Sequence, residues 1–270
     1  MNGLATVVND SSVIAKRNIL KITRIPDLLV GTLISPIMFI LLFGYVFGGA
    51  IGTPGGGSAA DYREFLVPGI FAQTVIFGAT VTGAGIADDM QKGIIERFRS
   101  LPMTQSAVLV GRTASDVILN VIVIVIMSLT GLVIGWRIRT SFLDALVGFA
   151  LLLLFAYAVS WVMGLLGLLI RTPEAFNNLT FLTIFPLTFI TNAFVPLETF
   201  PGPLKVVAQW NPVSTLVQAA RERFGNVPPG TELGSWSLQN AELYTLLWIL
   251  LVLAVFVPLA TRQYKRAAAR

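Results

Sequence analysis

Residues 88–103 read Asp-Asp-Met-Gln-Lys-Gly-Ile-Ile-Glu-Arg-Phe-Arg-Ser-Leu-Pro-Met and form the densest cluster of charge between two long apolar runs. Wound as a helix, Met90, Ile94 and Phe98 form one apolar stripe, because side chains four residues apart lie on the same helix face. Charged side chains take the opposite face, and Pro102 ends the helix. The pattern predicts a short amphipathic helix that either lies on a membrane surface or is bound by another protein.

The composition indicates an integral membrane protein. Of the 270 residues 55% are hydrophobic and only 12% are charged, whereas a soluble domain carries about a quarter charged residues. The chain has no histidine and no cysteine, so the commonest general base and the commonest metal ligands are missing. We therefore expect no enzymatic activity and no cofactor on this chain. Its net charge of +5 follows membrane topology, and we expect membrane lipids rather than nucleic acid as its surroundings.

Six apolar runs are predicted to cross the membrane in an all-α fold, because a spanning helix needs about 20 residues. They are residues 28–50, 65–86, 107–136, 143–170, 176–194 and 243–260. We expect residues 1–270 to form a single transmembrane domain.

Residues 10–24 precede the first span and carry basic side chains along one face. Asp10 and the two serines after it can cap a helix, and the pattern predicts an interfacial helix lying in the membrane surface. Val13 and Leu20 fall on the charged side, so a basic tail without fixed structure is the alternative.

Residues 196–225 are too interrupted to cross the bilayer and too apolar for an ordinary loop. Asn211 can cap a second short helix, with Pro212 at its first position and Gly225 at its end. The segment is predicted to form a re-entrant hairpin that dips into the outer leaflet before the last span. The residues that define it are Pro196, Pro201, Asn211, Pro212, Arg221 and Gly225.

Three polar side chains inside the spans are candidates for function. Asp116 is an intramembrane acid, and Arg112 lies four residues before it on the same helix face. An ion pair within that helix is favoured over a substrate or proton site. Asn177 and Asn178 are expected to form hydrogen bonds between helices rather than to contact a ligand.

Aromatic residues of the fourth and fifth spans could line an apolar translocation path, although ordinary helix packing explains them as well. The candidate path residues are Phe155, Trp161, Phe181, Phe185 and Phe189.

Three motifs in order resemble the membrane subunit of ABC-2-type exporters, in particular the daunorubicin/doxorubicin-resistance permease family. Residues 93–102 read Gly-Ile-Ile-Glu-Arg-Phe-Arg-Ser-Leu-Pro, and residues 192–201 read Asn-Ala-Phe-Val-Pro-Leu-Glu-Thr-Phe-Pro. Residues 210–221 read Trp-Asn-Pro-Val-Ser-Thr-Leu-Val-Gln-Ala-Ala-Arg. The resemblance covers essentially the whole chain.

The resemblance implies a permease that forms a homodimer in a bacterial plasma membrane and binds two copies of a separate ABC ATPase. ATP and Mg would be bound by that partner, since this chain has no G-x-x-x-x-G-K-[ST] motif. Residues 88–103 would then be the coupling helix, with its apolar stripe seated in a groove of the ATPase. The coupling residues are Met90, Ile94, Glu96, Arg97, Phe98, Arg99, Leu101 and Pro102.

The function that this implies is export of an amphiphilic drug-like or lipid substrate from the cytoplasm or inner leaflet. Export of a lipid-linked glycan or a cell-envelope lipid is the first alternative. A secondary transporter would be expected to show internal repeats and charged residues near the middle of the membrane. A membrane subunit without a transport function would not need the hairpin or the coupling helix.

Orientation gives the first prediction. Placing both termini in the cytoplasm puts 13 of the 19 lysines and arginines inside, as the positive-inside rule requires. Single cysteines at positions 56 and 230 should therefore react with an impermeant maleimide on intact cells, and cysteines at 92 and 265 should not. Labelling at 92 without labelling at 56 would contradict the orientation.

Overall fold

The computed structural model describes residues 3–24, 26–47, 58–95, 105–170, 172–228, 230–231 and 233–267, and these residues contain helices and turns but no strand. The all-α prediction is confirmed for this part of the chain. The helices are α1 (Gly3–Arg24), α2 (Pro26–Leu41), α3 (Ala59–Gln91), α4 (Gln105–Ile134), α5 (Phe142–Leu169), α6 (Pro173–Phe189), α7 (Gly202–Trp210), α8 (Pro212–Phe224), α9 (Trp236–Gln239) and α10 (Ala241–Ala267). A π-helical turn, Leu42–Phe47, continues α2.

Helix α3 lies at the centre and packs against α2, α4, α5, α6 and α8. It begins with a capping box: the Ser58 hydroxyl accepts a hydrogen bond from the backbone N–H of Asp61, and the Asp61 carboxylate accepts one from Ser58 N. From Phe65 to Ile76 every side chain is buried. A helix that is apolar and buried all round has to be enclosed by other helices.

Glycines allow the backbones of α3 and α5 to touch. A Cβ atom added at Gly167 would lie 2.4 Å from the carbonyl oxygen of Gly83, which no side chain tolerates. In a membrane, where apolar surface meets apolar lipid, such close contact is a main source of helix association.

Four described helical segments are long and apolar enough to cross a membrane: Ala59–Gln91, Ala107–Ile134, Phe142–Leu169 and Ala241–Arg266. The expected first span is represented by a shorter apolar stretch, Leu33–Val46, and the expected fifth span by α6, which has 17 residues. The chain is thus an all-α protein with several membrane-crossing helices, and six spans stay a prediction.

The N-terminal helix differs from the prediction. It begins at Gly3, so Asp10 lies inside α1 and the predicted N-cap there is wrong. No proline interrupts residues 3–9, and the helix simply continues toward the N-terminus. Helix α1 packs along α4, where a Cβ at Gly111 would lie 2.5 Å from the carbonyl oxygen of Ser11.

The predicted continuous helix over 88–103 is also wrong. Helix α3 extends to Gln91 and is capped at Lys92, and Gly93 adopts a positive φ of 64°. A glycine in this left-handed conformation ends a helix, so Met90 and Ile94 do not share one uninterrupted stripe. The other coupling residues, Glu96, Arg97, Phe98, Arg99, Leu101 and Pro102, lie outside the described residues.

Residues 196–225 form two short helices. Pro196 precedes a single 3-10 turn, Leu197–Thr199, and Pro201 precedes α7. The ends of α8 are as predicted: Asn211 Oδ1 accepts a hydrogen bond from Val213 N at 2.9 Å, and Gly225 closes the helix with φ 73°. Insertion of this hairpin into the outer leaflet stays a prediction.

Candidate functional site

An apolar cavity of about 340 Å³ lies between α2, α3 and α6. Helix α6 contributes three of the predicted path residues to its wall, Phe181, Phe185 and Phe189, and helix α3 contributes Phe77. The cavity is within the size range of pockets that hold small organic molecules.

The aromatic wall is continuous because its residues recur every four positions along α6. The ring centroids of Phe181 and Phe185 are 5.1 Å apart, and those of Phe185 and Phe189 are 4.1 Å apart with the planes nearly parallel. Phe194 extends the row at 5.1 Å from Phe189. Offset stacking of this kind holds the rings in fixed positions.

A few polar groups interrupt the apolar wall. Gln73 and Thr74 of α3 and Ser35 of α2 line the cavity, and none of the described lining residues carries a charge. Such a site favours a molecule that is mostly apolar and has a small number of hydrogen-bonding groups.

Two predicted path residues lie elsewhere. Phe155 is 2% exposed and its ring lies 6.0 Å from that of Trp248, within the main core. Trp161 is 2% exposed and packs edge-on against Tyr157 in a second apolar cluster near the ends of α4 and α10. Neither residue lines the cavity, so packing accounts for both.

The predicted ion pair between Arg112 and Asp116 is wrong. Asp116 accepts a hydrogen bond from the Thr82 hydroxyl of α3. Arg112 instead reaches Asp89, with Nη1 2.9 Å from Oδ2. It can do so because it passes Gly85, where a Cβ would lie 1.4 Å from Arg112 Nη2.

Asn177 and Asn178 lie on the exposed side of α6. No hydrogen bond joins either amide to another described helix, so the predicted bonds between helices are not made within one chain. The buried side of α6 consists of Phe176, Thr180, Ile184 and Thr188, and the other faces are open and largely apolar.

Arg221 has a structural role that the sequence did not reveal. Its side chain is 1% exposed, Nε donates to the carbonyl oxygen of Phe65 at 2.8 Å, and Nη2 donates to that of Asn192 at 2.8 Å. The guanidinium also lies 3.5 Å from the centroid of the Phe65 ring. Arg221 thereby joins α8, α3 and the turn after α6, and its place at the end of the 210–221 motif was the only signal.

An exposed ion pair lies in the same region. The Arg139 guanidinium donates two hydrogen bonds to the Glu64 carboxylate, at 2.7 and 2.8 Å. These bonds, and the negative charge of Glu64, raise the pKa of Arg139. The pair ties the turn between α4 and α5 to the start of α3.

Sequence comparisons place these features in a family. A profile described as "ABC-2 type transporter" matches residues 10–224. The daunorubicin resistance ABC transporter permease protein DrrB1 of Streptomyces coeruleorubidus is 31% identical over 261 residues, which cover 97% of this chain and 88% of that protein.

Two relatives come from Mycobacterium tuberculosis (strain ATCC 25618 / H37Rv). The doxorubicin resistance ABC transporter permease protein DrrB is 29% identical over 239 residues, covering 85% of this chain and 82% of its own length. DrrC, described as a probable doxorubicin resistance permease, is 22% identical over 194 residues, covering 71% and 68%. Both are similar to this chain along most of its helices.

Proposed function

Because the chain belongs to the family of ABC-2 type transporters, we propose that it is a permease through which a separate ATPase exports an amphiphilic drug-like or lipid substrate. The chain is a transport component and not itself an enzyme, as the names of its relatives indicate. The observation that carries the substrate class is the cavity of about 340 Å³ with its aromatic wall and its few polar groups.

A drug-like or lipid substrate is favoured over a lipid-linked glycan. A glycan presents many hydroxyl groups, and each loses free energy when it is buried without a hydrogen-bond partner. Gln73, Thr74 and Ser35 supply only a few such partners. The relatives named for resistance to daunorubicin and doxorubicin support the choice of a drug-like substrate.

The permease acts as a homodimer in a bacterial plasma membrane, with six spans and both termini in the cytoplasm. Helix α6 supports this proposal, because Asn177 and Asn178 lie on its exposed face and polar side chains are costly against lipid. A second copy of the permease packed against this face of α6 would provide hydrogen-bond partners for the two amides. It would also cover the open side of the cavity.

The proposal also assigns positions to α1, to residues 196–225 and to residues 88–103. Helix α1 lies at the cytoplasmic surface, and residues 196–225 enter the outer leaflet. Residues 88–103 contact the ATPase, which binds ATP and Mg. The end of α3 supports this assignment, since Lys92 and Gly93 stop the helix just before a segment that carries three charged residues and Phe98.

The cavity can be tested with Phe185→Ala. Loss of a buried aromatic contact costs about 2 kcal/mol, which corresponds to roughly 30-fold in affinity. ATP hydrolysis is measured in vesicles that contain the permease and the ATPase. For Phe185→Ala, we expect the doxorubicin concentration that gives half-maximal stimulation to rise roughly 30-fold. Phe142→Ala, at a position 81% exposed and remote from the cavity, is the matched control. An unchanged value for Phe185→Ala would contradict the site.

The dimer can be tested by cross-linking, because the chain has no native cysteine. Leu182→Cys, at a position 73% exposed on α6, should give a covalent dimer with a short bis-maleimide in membranes. Leu250→Cys, at a position 62% exposed on α10, should stay monomeric. Cross-linking of Leu182→Cys only to a different, co-expressed permease would show a heterodimer instead.

The ATPase contact can be tested with Phe98→Asp, which introduces an unpaired charge into the proposed apolar contact. An interface anchor contributes about 2 kcal/mol or more, and burial of a lone carboxylate adds to the loss. The variant should insert normally but retain at least tenfold less ATPase in a pull-down at equal membrane abundance. Lys92→Ala is the control, because its pair with Asp88 is exposed and such pairs contribute little. The reverse outcome would mean that the contact is made through Lys92 and not through Phe98.

A further inference from the structure

A nearly buried carboxylate holds three helices together at the end of α3. Asp89 is 6% exposed, and its two oxygens face different arginines. Oδ2 lies 2.9 Å from Arg112 Nη1 of α4, and Oδ1 lies 3.5 Å from Arg17 Nη2 of α1. An acid in the last turn of a helix is opposed by the helix dipole. Asp89 therefore gains nothing from its own helix and is stabilised by the two arginines.

The backbone is shaped to permit this arrangement. Gly85 on α3 leaves the space through which Arg112 passes, and Gly111 on α4 lets α1 approach to backbone contact. The amide of Asn18 on α1 donates to the Ser115 hydroxyl of α4 at 3.3 Å, which adds a second link between these two helices.

Ile95, a residue of the proposed coupling segment, packs next to these contacts. Ile95 is 4% exposed and belongs to an apolar cluster with Ile86, Val108, Leu109 and Tyr264. Ile95 also borders a small space lined by Arg17, Asp89 and Arg112. Movement of the segment after Gly93 would thus act directly on the helices that Asp89 joins.

We propose that Asp89 is a positioning residue for energy coupling: it binds α1, the end of α3 and the start of α4 into one rigid unit that moves as a whole when the ATPase acts on the segment after Gly93. Removing one partner of a buried ion pair leaves an uncompensated charge, so separation of α3 from α4 is strongly opposed. Helix α1 is held to them by the more exposed Arg17 pair and by the hydrogen bond from Asn18 to Ser115. The inference rests on the proposed function, because it requires an ATPase that acts on this segment.

The first test locks α1 to α4. Asn18→Cys with Ser115→Cys places two thiols at the observed contact, and a short bifunctional methanethiosulfonate joins them reversibly. If the unit moves whole, cross-linked permease should transport doxorubicin into inverted vesicles within twofold of the uncross-linked protein. Loss of transport on cross-linking, with recovery after reduction, would mean that α1 separates from α4 and would overturn the proposal.

The second test breaks the unit. Asp89→Asn should retain the ATPase in a pull-down while the doxorubicin transported per ATP hydrolysed falls at least tenfold. Asp88→Asn, one residue away with its acid paired to exposed Lys92, should keep the ratio of the parent protein. An unchanged ratio for Asp89→Asn would overturn the proposal, because a merely structural defect lowers hydrolysis and transport together.

Two further variants cover a failure of Asp89→Asn to fold. Arg17→Gln removes the partner whose side chain is 40% exposed, so the protein should fold and show a smaller loss in the same ratio. Exchange of the pair, Asp89→Arg with Arg112→Asp, should give a higher ratio than Arg112→Asp alone. A ratio for Arg17→Gln equal to that of the parent protein would overturn the proposal, and so would an exchange variant with a ratio no higher than that of Arg112→Asp alone. A parent protein that retains no ATPase at all would contradict the proposed function instead.

Discussion

Close contact between helix backbones organises this protein, and α3 is the helix on which the contacts converge. A Cβ added at Gly167 would lie 2.4 Å from the carbonyl oxygen of Gly83 on α3. A Cβ added at Gly69 on α3 would lie 2.4 Å from the carbonyl oxygen of Ala193. Lipid and side chains are equally apolar, so packing of this quality has to replace the hydrophobic effect as the force that joins helices. The consequence is a central helix covered on most sides. The side of α3 near α2 and α6 is the one that borders the cavity.

The distribution of charge follows from the same packing. The ion pairs between described residues lie near the two ends of the helices, where Asp89 meets its arginines and Glu64 meets Arg139. The cavity between them is lined by aromatic and small polar residues. None of the described lining residues offers a charge to a molecule in the cavity. In the proposed function, the ATPase acts on the permease near the helix ends, where the contacts of Asp89 lie.

Much of this architecture was predictable from local patterns, and two of the failures involve glycines. Apolar run length located the long helices, and the ends of α8 followed from Asn211 and Gly225 because capping is a local property. The partner of Arg112 was not predictable, since it depends on a glycine of another helix that leaves room for the side chain. The break at Gly93 was missed for a related reason. A periodic apolar stripe is compatible with a helix, but the spacing of apolar residues does not predict whether a glycine between them adopts a left-handed conformation.

The environment of Arg221 has one more consequence. Its guanidinium is held by the carbonyl oxygens of Phe65, Asn192 and Ala193 and by an aromatic face, rather than by a carboxylate. Backbone carbonyls do not ionise, so no acid has to stay deprotonated for this joint to hold. In the proposed orientation the joint lies on the outer side of the membrane, where the cell does not control acidity. The link between α3, α6 and α8 would therefore keep its strength in acidic surroundings that loosen ordinary ion pairs.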